Sequence, residues 1–376
     1  MSLKLIRVTT ISLSLNVLLK GQLSFLNRFY EVIGIASDRE MLDEVAKREG
    51  IRTIVVAMKR EISLWSDFKS LIHFVWIFWR EKPFIVHANT PKASLLVMLA
   101  AWMMQVPNRI YTVTGLRFET TTGIFRRFLI LLEKVTCFCA TKVIPEGEGV
   151  KKALLKERIT TKPLKVIFNG NINGVNCEFF KRTQLLEEQA MDIKSEGYTF
   201  CFVGRIVKDK GINELIHAFV TLNDKYPNTH LIMVGSLEKE LDPLLPDVES
   251  LLLKHNSISF VGFQQDIRPY LQASDVFVFP SYREGFPNVV LQAGAMELPS
   301  IVTDINGSNE IIEDGVNGKI IPPKDENALY EAMKWFYEHR EGVVLEMAKK
   351  TRPIVMERYE QYKVWEALLK EYQSLE

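Results

Sequence analysis

Two short segments in the second half of this 376-residue chain carry cations, a carboxylate and helix-opening glycines at spacings that suit a diphosphate. The first runs Gly204-Arg205-Ile206-Val207-Lys208-Asp209-Lys210-Gly211-Ile212 behind an apolar stretch. A cation at a strand end and another five residues later, where a glycine opens a helix, place two positive groups and free N–H donors near one anion. Alone, the segment reads first as a helix-entry turn with two solvated cations. The second runs from Pro280 to Ala295 and takes a buried strand into Glu284, then through Gly285, Phe286 and Pro287 into a helix whose first N–H groups are open to the same ligand. Asn288 and Gln292 fall one helical turn apart on that helix, so both reach one ligand. Gly235 and Phe263 follow two further apolar runs, at strand ends where a ligand can approach the backbone closely.

Such turns meet only if a parallel sheet delivers them to one edge, and the rest of the chain has that pattern. Short β-branched and aromatic runs alternate with longer helical periods throughout, which predicts an α/β fold of βαβ units. In the first half, strands are expected at 4–9, 31–36, 53–57, 84–87, 109–113, 142–145 and 165–168, with helices at 41–49, 64–80 and 92–104. The second half restarts with strands at 198–203, 230–234, 258–261, 276–279, 300–302 and 319–321, and helices at 213–226, 288–297 and 326–338. The polar segment 181–196 lacks a strand pattern and is the expected linker between a first domain over 1–180 and a second over 197–354. After Pro353 an aromatic-rich amphipathic helix is expected over 355–374. In open α/β sheets ligands bind outside the carboxyl ends of the strands, which is where these turns fall.

Hydrophobic residues at 47% and charged residues at 25% exclude disorder and collagen-like fibres. The net charge of +1 hides an uneven division: residues 1–190 hold 28 Lys and Arg against 17 Asp and Glu, whereas 191–376 hold 19 against 29. A basic half attracts anionic surfaces, or else an acidic neighbouring domain. Cys137, Cys139, Cys177 and Cys201 form no C-x-x-C pair and no disulfide framework, which fits a reducing cytoplasm. The opening residues read as a first strand rather than a signal peptide. The longest apolar stretch, 93–104, falls short of a spanning helix, so any membrane contact is expected to be peripheral. The phosphate-loop, dinucleotide and zinc-protease motifs are absent, as is any Asp-x-Asp, and the six histidines are scattered; no metal is expected. No basic run is interleaved with stacking aromatics, so nucleic acid is not an expected partner.

The constellation closely resembles the retaining glycosyltransferases of family four, and the resemblance covers nearly the whole chain. It implies the GT-B fold, two facing Rossmann-like domains with the C-terminal segment 355–376 crossing back to the first. Gly204-Arg205 with Lys210-Gly211 resembles that family's diphosphate-binding pair, and Glu284-Gly285-Phe286 resembles the first half of its Glu-x7-Glu motif. Asp304-Ile305-Asn306-Gly307 and Glu310-Ile311-Ile312 resemble its closing segment. In the first half, 86–93 and 169–175 resemble a bacterial branch that acts on lipid-linked sugars in surface polysaccharide assembly. Three positions depart from the pattern. Gln292 replaces the second Glu and cannot form a charge-assisted pair with ribose hydroxyls. Thr114 stands in a turn where the family often has His, and Leu19-Lys20-Gly21-Gln22 replaces a Gly-Gly pair.

By this resemblance Arg205 and Lys210 stabilise the charge that develops on a departing diphosphate, helped by the helix amides after Phe286. Glu284 holds sugar hydroxyls, the anomeric configuration is retained, and neither a metal nor another cofactor is needed. Gly204, Gly235, Phe263, Gly285, Phe286, Pro287, Asn288 and Gln292 form the expected donor side, and His87, Asn89, Lys92, Thr114 and Gly21 the expected acceptor side. A His that ends a strand also reads as structural. The expected partners are a UDP-sugar carrying a hexose or N-acetylhexosamine, a polyprenyl-diphosphate-linked saccharide, and the anionic inner face of the cytoplasmic membrane. The membrane expectation draws on the basic half, the aromatic stripe 71–79, and Arg126-Arg127 beside Phe125 and Phe128, although the stripe reads also as a buried core helix. A nucleotide-sugar epimerase, a phosphorylase of the same fold and a catalytically silent partner subunit remain open alternatives.

Overall fold

The structure, a computed structural model, describes residues 3–58, 63–194, 196–240 and 242–376. Its contacts divide the chain into two units, Met1–Asn173 with Tyr362–Glu376, and Gly174–Gln361.

The first unit contains β1 (Lys4–Val8), α1 (Ser12–Leu18), α2 (Gln22–Leu26), β2 (Glu31–Ala36), α3 (Arg39–Glu49), β3 (Arg52–Val55), α4 (Leu64–Glu81), β4 (Ile85–Ala88), α5 (Pro91–Met103), β5 (Asn108–Val113), α6 (Gly123–Cys139), β6 (Lys142–Pro145) and α7 (Glu148–Lys156). All six strands are parallel, in the order β3-β2-β1-β4-β5-β6. A parallel sheet is covered on both faces, so its strands read as continuous apolar runs. Alternate residues divide between the faces: Ile6, Val8, Ile33 and Ile35 meet α4, α5 and α6, while Leu5 and Val32 face the side of α1 and α3. Helix boundaries have local causes as well. The Asp38 carboxylate accepts from Met41 N at 3.4 Å to start α3, and Gly50 ends it at φ 67°.

The second unit contains α8 (Gln184–Met191), β7 (Tyr198–Val203), α9 (Ile212–Lys225), β8 (Thr229–Val234), α10 (Pro246–Lys254), β9 (Ile258–Gly262), α11 (Arg268–Gln272), β10 (Val276–Phe279), α12 (Asn288–Ala295), β11 (Ser300–Thr303), α13 (Ser308–Ile311), β12 (Gly318–Ile321), α14 (Glu326–Glu338) and α15 (Val343–Tyr359). Its parallel order, β12-β11-β10-β7-β8-β9, is that of the first sheet read from the other edge. Both units are therefore Rossmann-like, with the order reversing between the first and fourth strands.

Three expectations change. The run 165–168 is not a strand: Phe168 takes φ 54° and the chain turns, leaving isolated bridges between Val143 and Leu164 and between Phe168 and Gly170. The expected linker 181–196 carries α8, capped by Thr183 and packed against α11, and the chain passes from one unit to the other earlier, at Asn173 and Gly174; Ser195 of that segment lies outside the described residues. The expected helix over 355–374 is two helices. Pro353 lies inside α15, and Glu360 turns out of helix at ψ 128°, where Val175 pairs with Tyr359 and Gln361 backbone.

The following helix, α16 (Gln361–Gln373), joins the first unit and completes one face of its core with Leu368, Leu369 and Tyr372. Glu371 pairs with Lys142 and, at 2.7 Å, with Lys165, while Trp365 Nε1 donates to Asn173 Oδ1 at 2.7 Å.

Candidate active site

The strands β7 and β10 are neighbours in the second sheet, and from them the chain winds outward in opposite directions. In open α/β sheets the carboxyl ends of the strands at such a reversal are where ligands bind. The loops after both strands carry the residues expected to do chemistry. Gly211, at φ 71°, brings the first loop so close to the second that a Cβ there would lie 2.1 Å from Pro280 O. The loops are also stitched together directly. Tyr282 N donates to Asp209 O at 2.9 Å, the Arg283 guanidinium pairs with Asp209 at 3.3 Å, and Tyr282 OH donates to Glu214 Oε1 at 2.5 Å.

At the centre of this arrangement Lys210 Nζ is paired with Glu284 Oε1. The same oxygen accepts from the buried Ser281 hydroxyl at 2.8 Å, and Thr303 Oγ1 at the end of β11 donates to Ser281 O at 2.5 Å. Lys210 also stands 5.3 Å from the centroid of the Phe279 ring, over the end of β10. Glu284 Oε2 has no partner among the described residues, so one oxygen of the carboxylate is fixed and the other presented. The side chains of Lys210 and Glu284 are 15% and 17% exposed, which strengthens their field relative to open water while leaving access.

Arg205 is not brought to that pair. Its half-exposed guanidinium donates to Glu238 Oε2 at 3.0 Å, beyond the end of β8. Gly204 precedes it, and Gly235 touches the same turn: a Cβ on Gly235 would sit 1.7 Å from Gly204 O. Phe263, after β9, is largely exposed. In the second loop Gly285 is half-buried, whereas the Phe286 ring packs 5.5 Å from Tyr359 in the core and anchors the turn instead of facing a ligand. Pro287 opens α12 with no side-chain cap and no acid in the first turn, so the positive end of that helix is uncompensated. Asn288 and Gln292 are half-buried one turn apart on it.

The residues expected on the acceptor side serve the interior of the first unit. His87 is buried; its Nδ1 meets Tyr372 OH at 2.5 Å and its Nε2 meets Thr112 Oγ1 at 2.7 Å. Burial, with the charge of Arg7, holds its pKa well below the usual imidazole range and keeps the ring neutral. Asn89 accepts from Arg7 at 2.9 Å, and Thr114 donates to Asn89 O at 2.8 Å. Lys92 pairs with Asp67 at 2.7 Å, and Gly21 lies beneath Trp365, where a Cβ would come within 2.6 Å of the ring.

Two groups went unread in the sequence. Ser281 and Thr303 set Glu284, yet only the pairing of β10 with β11 makes them neighbours. Arg7, wholly buried, donates to Gln22 Oε1 at 2.8 Å, Tyr372 OH at 2.9 Å and Asn89, partners up to 365 residues away in the chain. An arginine inside a strand of apolar residues is the one sequence signal that marks it.

Residues 184–353 match the family described as "Glycosyl transferases group 1". The chain is 36% identical to the Staphylococcus aureus capsular polysaccharide biosynthesis glycosyltransferase CapM, over 88% of this chain and 87% of that protein. It is 31% identical to the Escherichia coli UDP-Gal:alpha-D-GlcNAc-diphosphoundecaprenol alpha-1,3-galactosyltransferase, over 74% and 73%. Among solved structures, that of Anabaena Alr3699/HepE in complex with UDP and glucose superposes with a TM-score of 0.83 at 16% identity, covering 99% of this chain and all of the other.

Proposed function

Because the chain belongs to the group 1 glycosyl transferases, we propose that it moves a hexose or N-acetylhexosamine from a UDP-sugar to a polyprenyl-diphosphate-linked saccharide in the assembly of a capsular or other surface polysaccharide. The observation that carries this reading is the Lys210–Glu284–Ser281 cluster at the reversal of the second sheet, in the loop that leads into the uncapped start of α12. The E. coli relative supports the choice of donor and acceptor, since its name gives a UDP-sugar and a diphosphoundecaprenol-linked sugar.

In the proposed reaction the bond between the anomeric carbon and the diphosphate oxygen breaks, and its electron pair leaves on the diphosphate. The acceptor hydroxyl oxygen forms the new bond and its proton is released with UDP. Charge grows on the diphosphate as the bond stretches, so donors already aimed at it stabilise the transition state more than the ground state. Lys210, the α12 amides and, from the rim, Arg205 take that part. The presented oxygen of Glu284 accepts from sugar hydroxyls, and the configuration is retained. This reading uses no metal, because two cations and a helix end supply the positive charge. Attachment to the inner membrane face belongs to the same proposal; among the described residues no helix is long and apolar enough to cross a membrane.

The test is a melting-temperature titration with UDP, GDP, ADP and their common sugar conjugates, since a ligand that binds only the folded chain raises the melting temperature. UDP species are expected to raise it, with the shift lost in Lys210→Ala and reduced in Arg205→Ala. No response to any nucleotide overturns the proposal. Product analysis then separates transfer to lipid from interconversion of free nucleotide sugars and from dependence on inorganic phosphate.

A further inference from the structure

We propose that the outer face of α4 and α6, with the end of α5 between them, is the surface by which the first unit docks on an anionic phospholipid bilayer. The inference rests on the lipid-linked acceptor proposed above and names the part of the molecule that would reach it.

The three helices form one layer. α4 packs on α5 and α5 on α6, and all three bury their inner sides in the same core against one face of the sheet. Phe74, Ile77 and Phe78 are the inward residues of α4, so the expected core helix is present on that side. Its other side carries an aromatic stripe that stays exposed among the described residues. Trp65, Phe68, Ile72, Trp76 and Trp79 recur at helical spacing and are exposed, Trp65 by 75% and Trp79 by 64%. α6 repeats the pattern with Ile124, Phe128 and Leu131, Ile124 being 86% exposed. Trp102 at the end of α5 lies 6.4 Å from the Phe138 ring of α6 and continues the surface across the layer. Large apolar side chains exposed in such numbers on neighbouring helices mark an interaction surface.

Charge chooses the occupant. Lys69 and Arg80 on α4, and Arg127 and Lys134 on α6, are exposed and in no ion pair among the described residues. Arg80 sits 5.4 Å from the Trp76 ring centroid, a charged head beside an aromatic plate. Acids of these helices are already engaged: Asp67 with Lys92, Glu81 with Lys4 and Arg52, and Glu133 with the Tyr111 hydroxyl at 2.9 Å. Tryptophans among unpaired cations suit the boundary between headgroups and acyl chains, where rings lie in the apolar side and cations meet phosphates. A helix as long as α4, about 27 Å, lies in that boundary along its axis.

The test floats the full chain with vesicles of phosphatidylcholine alone and with added phosphatidylglycerol. The chain is expected to float with the anionic vesicles and to be released by salt. The combined substitution Trp65→Glu, Trp76→Glu and Trp79→Glu is expected to lower partition at least about tenfold. Changing Lys69, Arg80, Arg127 or Lys134 to Gln lowers it about fivefold each. Retention of the UDP-induced melting shift in every variant shows an intact donor site. The proposal is overturned if the wild-type chain fails to float with anionic vesicles, or if the Trp variant floats as well as wild type. It is equally overturned if the Trp variant turns a dimer into a monomer without changing flotation, which assigns the face to a second copy of the chain. Absence of any nucleotide-induced shift in the wild type counts against the transferase reading and leaves the flotation result to stand by itself.

Discussion

Ser281 and Lys210 hold one oxygen of Glu284, and the proposed reaction gives the other to the sugar hydroxyls. Replacing it by Gln retains the shape and removes the charge, and kcat is expected to fall by on the order of a hundred- to a thousandfold in a steady-state assay. Ser281→Ala removes one hydrogen bond to the carboxylate without touching the donor. Its expected signature is a kcat about tenfold lower with KM for the UDP-sugar within about twofold, whereas a loss confined to KM contradicts a positioning role. Gln292→Glu introduces a carboxylate where the proposed reading puts the ribose, and initial rates are expected to show KM for the donor about three- to tenfold lower with kcat nearly unchanged. Glu284 and Lys210 were legible in the sequence because they sit in short turns after apolar runs, and Gln292 because it falls one helical turn beyond Asn288 on α12. Ser281 was in view within the same turn, but its task depends on Thr303, and no local pattern shows that β11 lies beside β10.

The elements were legible where local chemistry and burial agree, as in β10, apolar and wholly buried, or α3, with Asp38 at one end and Gly50 at the other. They failed where tertiary contacts decide. The run 165–168 looks like a strand yet turns at Phe168, and α16 separates from α15 because Val175 captures the backbone on either side of Glu360. The run 71–79 was readable as an aromatic stripe, exposed or core, and which side faced water depended on α5. Two tests belong at this scale. Tyr372→Phe deletes the hydroxyl shared by Arg7 and His87 inside the first unit, and urea unfolding is expected to show a loss of about 1–3 kcal/mol. On α6, burial raises the Glu133 carboxyl from 4.5 to about 7. The folded state thus holds that proton more tightly than the unfolded chain, so the group's contribution is complete below the unfolded value and is lost as pH rises through the folded one. The melting temperature of Glu133→Gln relative to wild type is accordingly expected to be near zero at about pH 5 and about 2–4 °C higher at about pH 8.

At the scale of the molecule, the sheet order appears twice, but the chemistry is divided unequally. The cations and carboxylate expected to handle the donor lie in the second unit, while the first holds the basic surface and a buried polar cluster around Arg7. Hydrogen exchange resolves that division. UDP is expected to slow exchange over 204–211 and 280–292, and Tyr372→Phe to speed it in β1, β4 and α16, because each perturbation acts on the elements it touches. The charge contrast between the halves was visible in the sequence from counting alone; the Arg7 cluster was not, since it joins residues from both extremes of the described chain. Its helix, α16, also sets a timetable for synthesis. A ribosome makes β1 to α7, then every residue of Gly174–Gln361, and only afterwards the helix whose Leu368 and Tyr372 close the first core. Throughout that interval the nascent first unit carries an uncovered apolar face, so the segment made earliest matures only after the second unit has been made.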